Sequence, residues 1–159
     1  MDQKLLIDTN VLVLLIVGYT NPAEIYNHRR LRQYNDECWK ALSEFVDNYQ
    51  ELWVTSHVVA ETSNLLKSNN PTLTKQCRLK FSKFLCQENV RESQLSAKLI
   101  ITGFQNTVIR LGVPDSALIQ KSKRVDNLIT DDFDLYAAVV KNGFAATKFE
   151  HLLCEKSLL

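Results

Sequence analysis

The chain has 159 residues, 45% of them hydrophobic and 23% charged, the profile of one folded globular domain spanning 1–159 and not of a disordered or fibrous segment. Nineteen basic and eighteen acidic residues leave a formal charge of +1, so no global field draws the chain to nucleic acid or membrane, and any anion-binding surface has to be local. Four cysteines without C-x-x-C spacing and only three histidines exclude a disulfide framework and a histidine-rich metal site; reduced thiols and a cytoplasmic location are expected.

The first stretch, LLIDTNVLVLL from Leu5, sets Asp8, Thr9 and Asn10 inside an otherwise apolar run. A secretory signal is excluded because these polar residues break the apolar core and no small-x-small cleavage site follows. A membrane span needs roughly 20 apolar residues, more than the run offers. There remains a buried strand, Leu5–Ile7, whose carboxyl end presents Asp8 to a crevice, with Asn10–Val17 opening a helix. An ionised carboxylate buried without a partner is costly, so Asp8 requires compensation.

Gly18–Asn35 is polar and irregular and carries the basic run His28-Arg29-Arg30-Leu31-Arg32. Asp36–Gln50 has helical periodicity through Cys38/Trp39, Leu42 and Phe45/Val46. Leu52–Thr55 is predicted as a strand, with Ser56 capping a helix to about Ser68. After the break at Asn69-Asn70-Pro71, Thr72–Glu88 and Glu92–Leu111 are predicted as two helices, the second ending at Gly112. Pro114 starts a short helix. Leu128–Thr130 is a third strand, Asp132–Asn142 a helix closed by Gly143, and Phe144–Thr147 a last strand. This alternation predicts an α/β fold in three layers, a mainly parallel central sheet flanked by helices.

In open α/β sheets, ligands bind beyond the carboxyl ends of the strands. Asp8 follows the first predicted strand, and Asp131, Asp132 and Asp134 follow the third. Glu61 lies just over one turn into the helix after the second, and Asp115 sits in the first turn after Gly112. Singly, Asp115 is an ordinary first-turn acid, one of the 131–134 acids a helix cap, and Glu61 a solvated charge. Asp8 has no such ordinary explanation. Two carboxylates about 4 Å apart repel by about 4 kcal/mol at an effective dielectric near 20. A gathered set of acids therefore calls for a hard divalent cation, Mg²⁺ or Mn²⁺.

In this order, the segments resemble the PIN-domain family of metal-dependent ribonucleases. LLIDTNVLVLL is similar to that family's first strand and acid, VTSHVVAETSNLL to its second strand and glutamate-bearing helix, LGVPDSALI to its third acidic segment, and LITDDFDLYAA to its T-x-D-x-D-[FL] pattern. The resemblance spans nearly the whole chain. It implies Asp8, Glu61, Asp115 and Asp132 as catalytic, metal-binding acids with Asp134 as a further metal residue. Thr9, Asn10 and Thr130 would orient them, and Glu61 would either bind metal or accept a proton. The adjacent aspartates 131 and 132 leave the register of the fourth acid open by one residue. The short charged stretch QKSKRVD at 120–126 departs from the family's alanine-rich helix.

The implied activity is hydrolysis of RNA phosphodiester bonds by an Mg²⁺- or Mn²⁺-dependent endoribonuclease, in the manner of the toxin of a toxin–antitoxin pair. RNA is the expected partner, an antitoxin protein and a homodimer are compatible with it, and no membrane is involved. An acidic pocket repels a polyanion, so cations are needed beside it: Arg29, Arg30 and Arg32 first, then the KSKR run at 121–124. Two alternatives belong to other classes. One is a non-catalytic PIN-like nucleic-acid-binding module. The other is a receiver-like α/β domain, disfavoured because Asp2 stands too far before Asp8 to pair with it and Thr147-Lys148 only loosely echoes a receiver lysine.

Overall fold

The computed structural model describes residues 3–159, so Asp2 lies outside the described residues. β1 (Lys4–Ile7) runs into α1 (Thr9–Thr20), followed by a 3-10 turn at Pro22–Glu24 and α2 (Asp36–Val46). β2 (Glu51–Thr55) leads to α3 (Ser56–Leu65) and α4 (Pro71–Leu85), and β3 (Val90–Ser93) to α5 (Ala97–Gly103), α6 (Gln105–Leu111) and α7 (Val113–Ser122). β4 (Asn127–Thr130), α8 (Phe133–Lys141), β5 (Ala146–Lys148) and α9 (Phe149–Glu155) complete the order.

The five strands form one all-parallel sheet in the order β3-β2-β1-β4-β5. α1 packs with α2, α3 and α4, whereas α7 packs with α5, α6 and α8; right-handed crossovers put these groups on opposite faces of the sheet. The predicted three-layer α/β architecture is what forms. The chain winds one way from β1 through β2 to β3 and the other way from β4 to β5, so the switch point lies between β1 and β4. A receiver-type sheet has the order 2-1-3-4-5 instead, and that alternative fails on topology.

β1 and α1 are the centre of the core. Leu5, Leu6 and Ile7 are fully buried, as are all residues from Leu12 to Val17. A helix apolar on every side is one enclosed on every side, which is why this segment shows no amphipathic period in the sequence. Gly18 lets α2 approach: a Cβ there would run into the indole ring of Trp39. That ring also meets Tyr19 edge-to-face, with centroids 5.7 Å apart.

The expected helix over Glu92–Leu111 is not one element. Val90–Ser93 is instead an edge strand, paired from Leu52↔Val90 to Thr55↔Ser93. Its sequence, VRES, buries only Val90, and an edge strand carrying charge is a known guard against open pairing. The remainder breaks at Phe104, whose backbone leaves helical geometry between α5 and α6, and again at Gly112 with φ 89°. At the start of α3 the cap is Thr55, one residue before the expected Ser56; its Oγ1 accepts from the Val58 N–H at 3.2 Å. α1 also extends beyond Gly18 to Thr20.

Gly18→Ala should destabilise the protein by about 1–3 kcal/mol through overpacking against Trp39. Urea denaturation measures this, and an unchanged midpoint would contradict the α1–α2 contact.

Candidate active site

Asp8 ends β1 and begins α1. Its carbonyl accepts from the Leu12 N–H at 2.9 Å and its own N–H donates to the Ile129 carbonyl at 3.1 Å, so the backbone is held by both the helix and the neighbouring strand. The side chain is equally engaged. Oδ1 accepts from the Thr9 N–H at 2.7 Å, and Oδ2 accepts from the Thr130 hydroxyl at 2.6 Å. Thr130 is fully buried, and its Oγ1 in turn accepts from the Asp132 N–H at 3.0 Å. The polar interruption in the apolar run is thus the corner where strand becomes helix at the switch point.

The other acids arrive from three directions. Asp132 caps α8, its Oδ1 accepting from the Leu135 N–H at 3.0 Å, and Asp134 lies in the first turn of that helix. Asp115 lies in the first turn of α7. Glu61, exposed on α3, accepts from the Thr9 hydroxyl at 3.3 Å. Asn10 donates to Asp131 Oδ1 at 3.4 Å. The side chains of Thr9, Asn10 and Thr130 therefore each donate to one carboxylate: Glu61, Asp131 and Asp8 respectively.

The electrostatics tie the set together. Burial first, then the charges of Asp131 and Asp115, pushes the Asp8 carboxyl up to about 7, against the hydrogen bonds from Thr130 and Thr9. Burial, then Asp132, Glu61 and Asp134, pushes Asp115 up to about 6. Asp131 is raised as well, chiefly by burial, with the Asn10 hydrogen bond and the Lys148 ammonium opposing. Asp131 and Asp115 thus act on Asp8, Asp132, Glu61 and Asp134 act on Asp115, and Asp132 acts on Asp131. Among the described residues, however, no three His, Cys, Asp or Glu side chains stand close enough to hold one ion as they are. Like charges without a counter-charge spread apart, and Asp8, Glu61, Asp131 and Asp132 each accept a hydrogen bond from a neighbouring donor. The donor set is carboxylate and hydroxyl oxygen, the chemistry of a hard divalent cation, and Glu61, Asp132 and Asp134 are exposed side chains free of the packing that fixes Asp8.

Asp131, one of the two adjacent aspartates between which the sequence leaves the fourth acid open, is the acid of the 131–134 group that acts on Asp8. Tyr34 and Lys148 are neighbours that the sequence does not mark as site residues. Lys148, at the end of β5, pairs with Glu150 and shares a cavity of ≈ 220 Å³ with Gln33, Tyr34 and Asp131. Burial and the nearby Asp131 push the Tyr34 hydroxyl up to about 12. Gln33 and Tyr34 therefore lie on the Asp131 side of the cleft. Earlier in the same segment His28 is buried and its Nδ1 accepts from the Arg30 N–H at 3.3 Å, an anchoring role. Arg29, Arg30 and Arg32 are exposed and form no ion pair among the described residues. No helix among the described residues is long and apolar enough to cross a membrane.

No protein-family model, curated protein or solved structure matches this chain.

A raised carboxyl stabilises the fold while protonated. The Asp8 contribution is therefore fully present below its unfolded value near 4 and is lost as pH rises through about 7, with Asp115 acting in the same direction. Three units correspond to roughly 4 kcal/mol. In metal-free buffer the Asp8 contribution should lower the Tm of wild type from about pH 4 to about pH 7, and Asp8→Asn should flatten that fall and melt higher at pH 8. Parallel curves for the two proteins would refute the buried-charge account of Asp8.

Proposed function

We propose that the protein is a cytoplasmic, Mg²⁺- or Mn²⁺-dependent endoribonuclease of the PIN type. The observation that carries this reading is Asp8, buried at the β1/β4 switch point and tied to Thr130 and the Thr9 N–H, with Asp115 and Asp131 close enough for their charges to act on it. Asp8, Asp115 and Asp132 would hold the cation, with Asp134 behind them. When bound, the cation supplies Lewis acidity toward a phosphate and an activated water at neutral pH. Asp8 is held for its task by Thr130 and the Thr9 N–H. Glu61 reaches the same cleft from solvent and is placed to accept a proton from the attacking water or to join the ligand set. Single-stranded RNA is the substrate class. An antitoxin would be the natural protein partner of such a chain, encoded beside it.

A second reading, a PIN-like module that binds nucleic acid without cutting it, is favoured by the separation of the carboxylates. Metal titration separates the two: a raised Tm with Mg²⁺ or Mn²⁺ in wild type but not in Asp8→Asn belongs to the enzyme alone.

Purified protein should cleave single-stranded RNA with Mg²⁺ or Mn²⁺ and stop in chelator. Asp8→Asn should bring cleavage to background with the fold intact by circular dichroism, and Thr130→Val should lower it by roughly 10–100-fold, the usual effect of removing a group that orients a ligand. Cleavage that survives both chelation and Asp8→Asn would sink the proposal.

Substrate capture is assigned to Arg29, Arg30 and Arg32, whose planar forks suit phosphate. Changing all three to Gln should reduce the log–log salt slope of single-strand binding by about 2 units and act on KM. An unchanged slope would make the run an ordinary solvated surface.

A further inference from the structure

A second cationic feature lies on the face of the sheet opposite α1. Just beyond α7, and at its last turn, Lys121, Lys123 and Arg124 line a cavity of ≈ 370 Å³ together with Ser93, Leu95, Leu99 and Gln120. None of these lining residues is acidic.

The way the lysines are held is unusual for cations. Lys121 is only 8% exposed, and neither it, Lys123 nor Arg124 forms an ion pair among the described residues. The Lys121 ammonium instead sits 3.5 Å from the centroid of the Trp53 ring, and that of Lys123 sits 4.9 Å from the centroid of Phe104. An aromatic face attracts a cation through its quadrupole without using up N–H donors as a carboxylate would. The nearest acid to act on Lys121, Glu51, is already shared by Trp53 Nε1 at 2.9 Å and by Lys4 and Arg91 at 4.0 Å each. Burial, then Arg124 and Lys4, lowers the affinity of Lys121 for its proton, and a bound anion would act in the opposite direction. Leu99, 61% exposed, and Leu95 add an apolar wall, so the chemistry matches a phosphate ester with an apolar or planar body.

The pocket is also placed on the same helix as the acidic cleft. From Asp115 to Lys121 the rise along α7 is about 9 Å, comparable to about three stacked nucleotides of one strand.

We infer that this pocket holds a backbone phosphate of the single-stranded RNA whose scissile bond lies at the acidic cleft. The anion chemistry stands on the pocket itself; the choice of RNA rests on the nuclease reading above. Binding of a labelled single-stranded oligoribonucleotide, followed by anisotropy in chelator as salt is varied, tests it. Lys123→Gln/Arg124→Gln, both exposed positions, should lower the log–log salt slope by about 1.4 units. Lys75→Gln/Arg78→Gln, the same charge change on α4 across the sheet, should leave the slope as in wild type. No change in the first variant, or an equal change in both, overturns the inference. Inorganic phosphate at matched ionic strength should not displace the oligonucleotide; displacement would overturn the strand assignment in favour of a free-anion site. Cleavage assayed on the same proteins with Mg²⁺ or Mn²⁺ in place of chelator keeps the two readings apart. Cleavage by wild type with no slope change in the first variant removes the pocket and leaves the nuclease. The expected slope change without any cleavage keeps the pocket and removes the nuclease.

Discussion

The hydrogen bond from the Thr130 hydroxyl to Asp8, 2.6 Å long and spanning 122 residues of sequence, is the tie on which the rest of the cleft depends. It joins the ends of β1 and β4 where the chain winds in opposite directions, and the same hydroxyl receives the Asp132 N–H. Two strand-to-helix corners thereby become one unit. A hydrogen bond to a charged group contributes about 1.5–3 kcal/mol, less than the effective penalty of several kcal/mol for removing a carboxylate from water. The bond orients Asp8 but does not fully compensate its charge, which is why the carboxyl remains pushed up to about 7.

The supporting layers make this tolerable. α1 is enclosed on all sides by apolar contacts, and each fully buried Leu, Ile or Val contributes roughly 1.5–3 kcal/mol relative to exposure. The polar triplet Asp8-Thr9-Asn10 is thus mounted at the start of a helix whose Leu12–Val17 run is fully buried, not on a loop. On the opposite face, α7 carries an acid in its first turn and lysine in its last, the charge order that a helix dipole favours. One helix therefore connects the acidic cleft with the cationic pocket near its far end.

Much of this was legible in the sequence where burial and local chemistry agree. Unbroken apolar runs marked β1, β4 and α1, and the polar interruption at Asp8 marked their junction. β3 was not legible, because an edge strand buries one row only and Val90 alone cannot signal it against the neighbouring charges. Lys148 and Tyr34 lie near Asp131 through crossovers that no spacing encodes. The same holds for the lysines parked on Trp53 and Phe104, since a cation–π contact between segments 68 residues and 19 residues apart, taken from the numbering, leaves no local pattern. Asp131 and Asp132, being adjacent, could be told apart only by which side chain caps α8.

The strand order has a consequence for how the chain comes to be folded. β1 occupies the middle of the sheet, between β2 and β4, yet its partner β4 is encoded some 120 residues later. At about 5–20 residues per second of synthesis, roughly 6–24 s separate the two strands. For that interval the most apolar segment of the protein has one open edge and no lid on its α7 side. A sheet assembled from such distant pairings is also slow to form once complete, so the nascent amino-terminal half is the stretch most in need of a chaperone's protection.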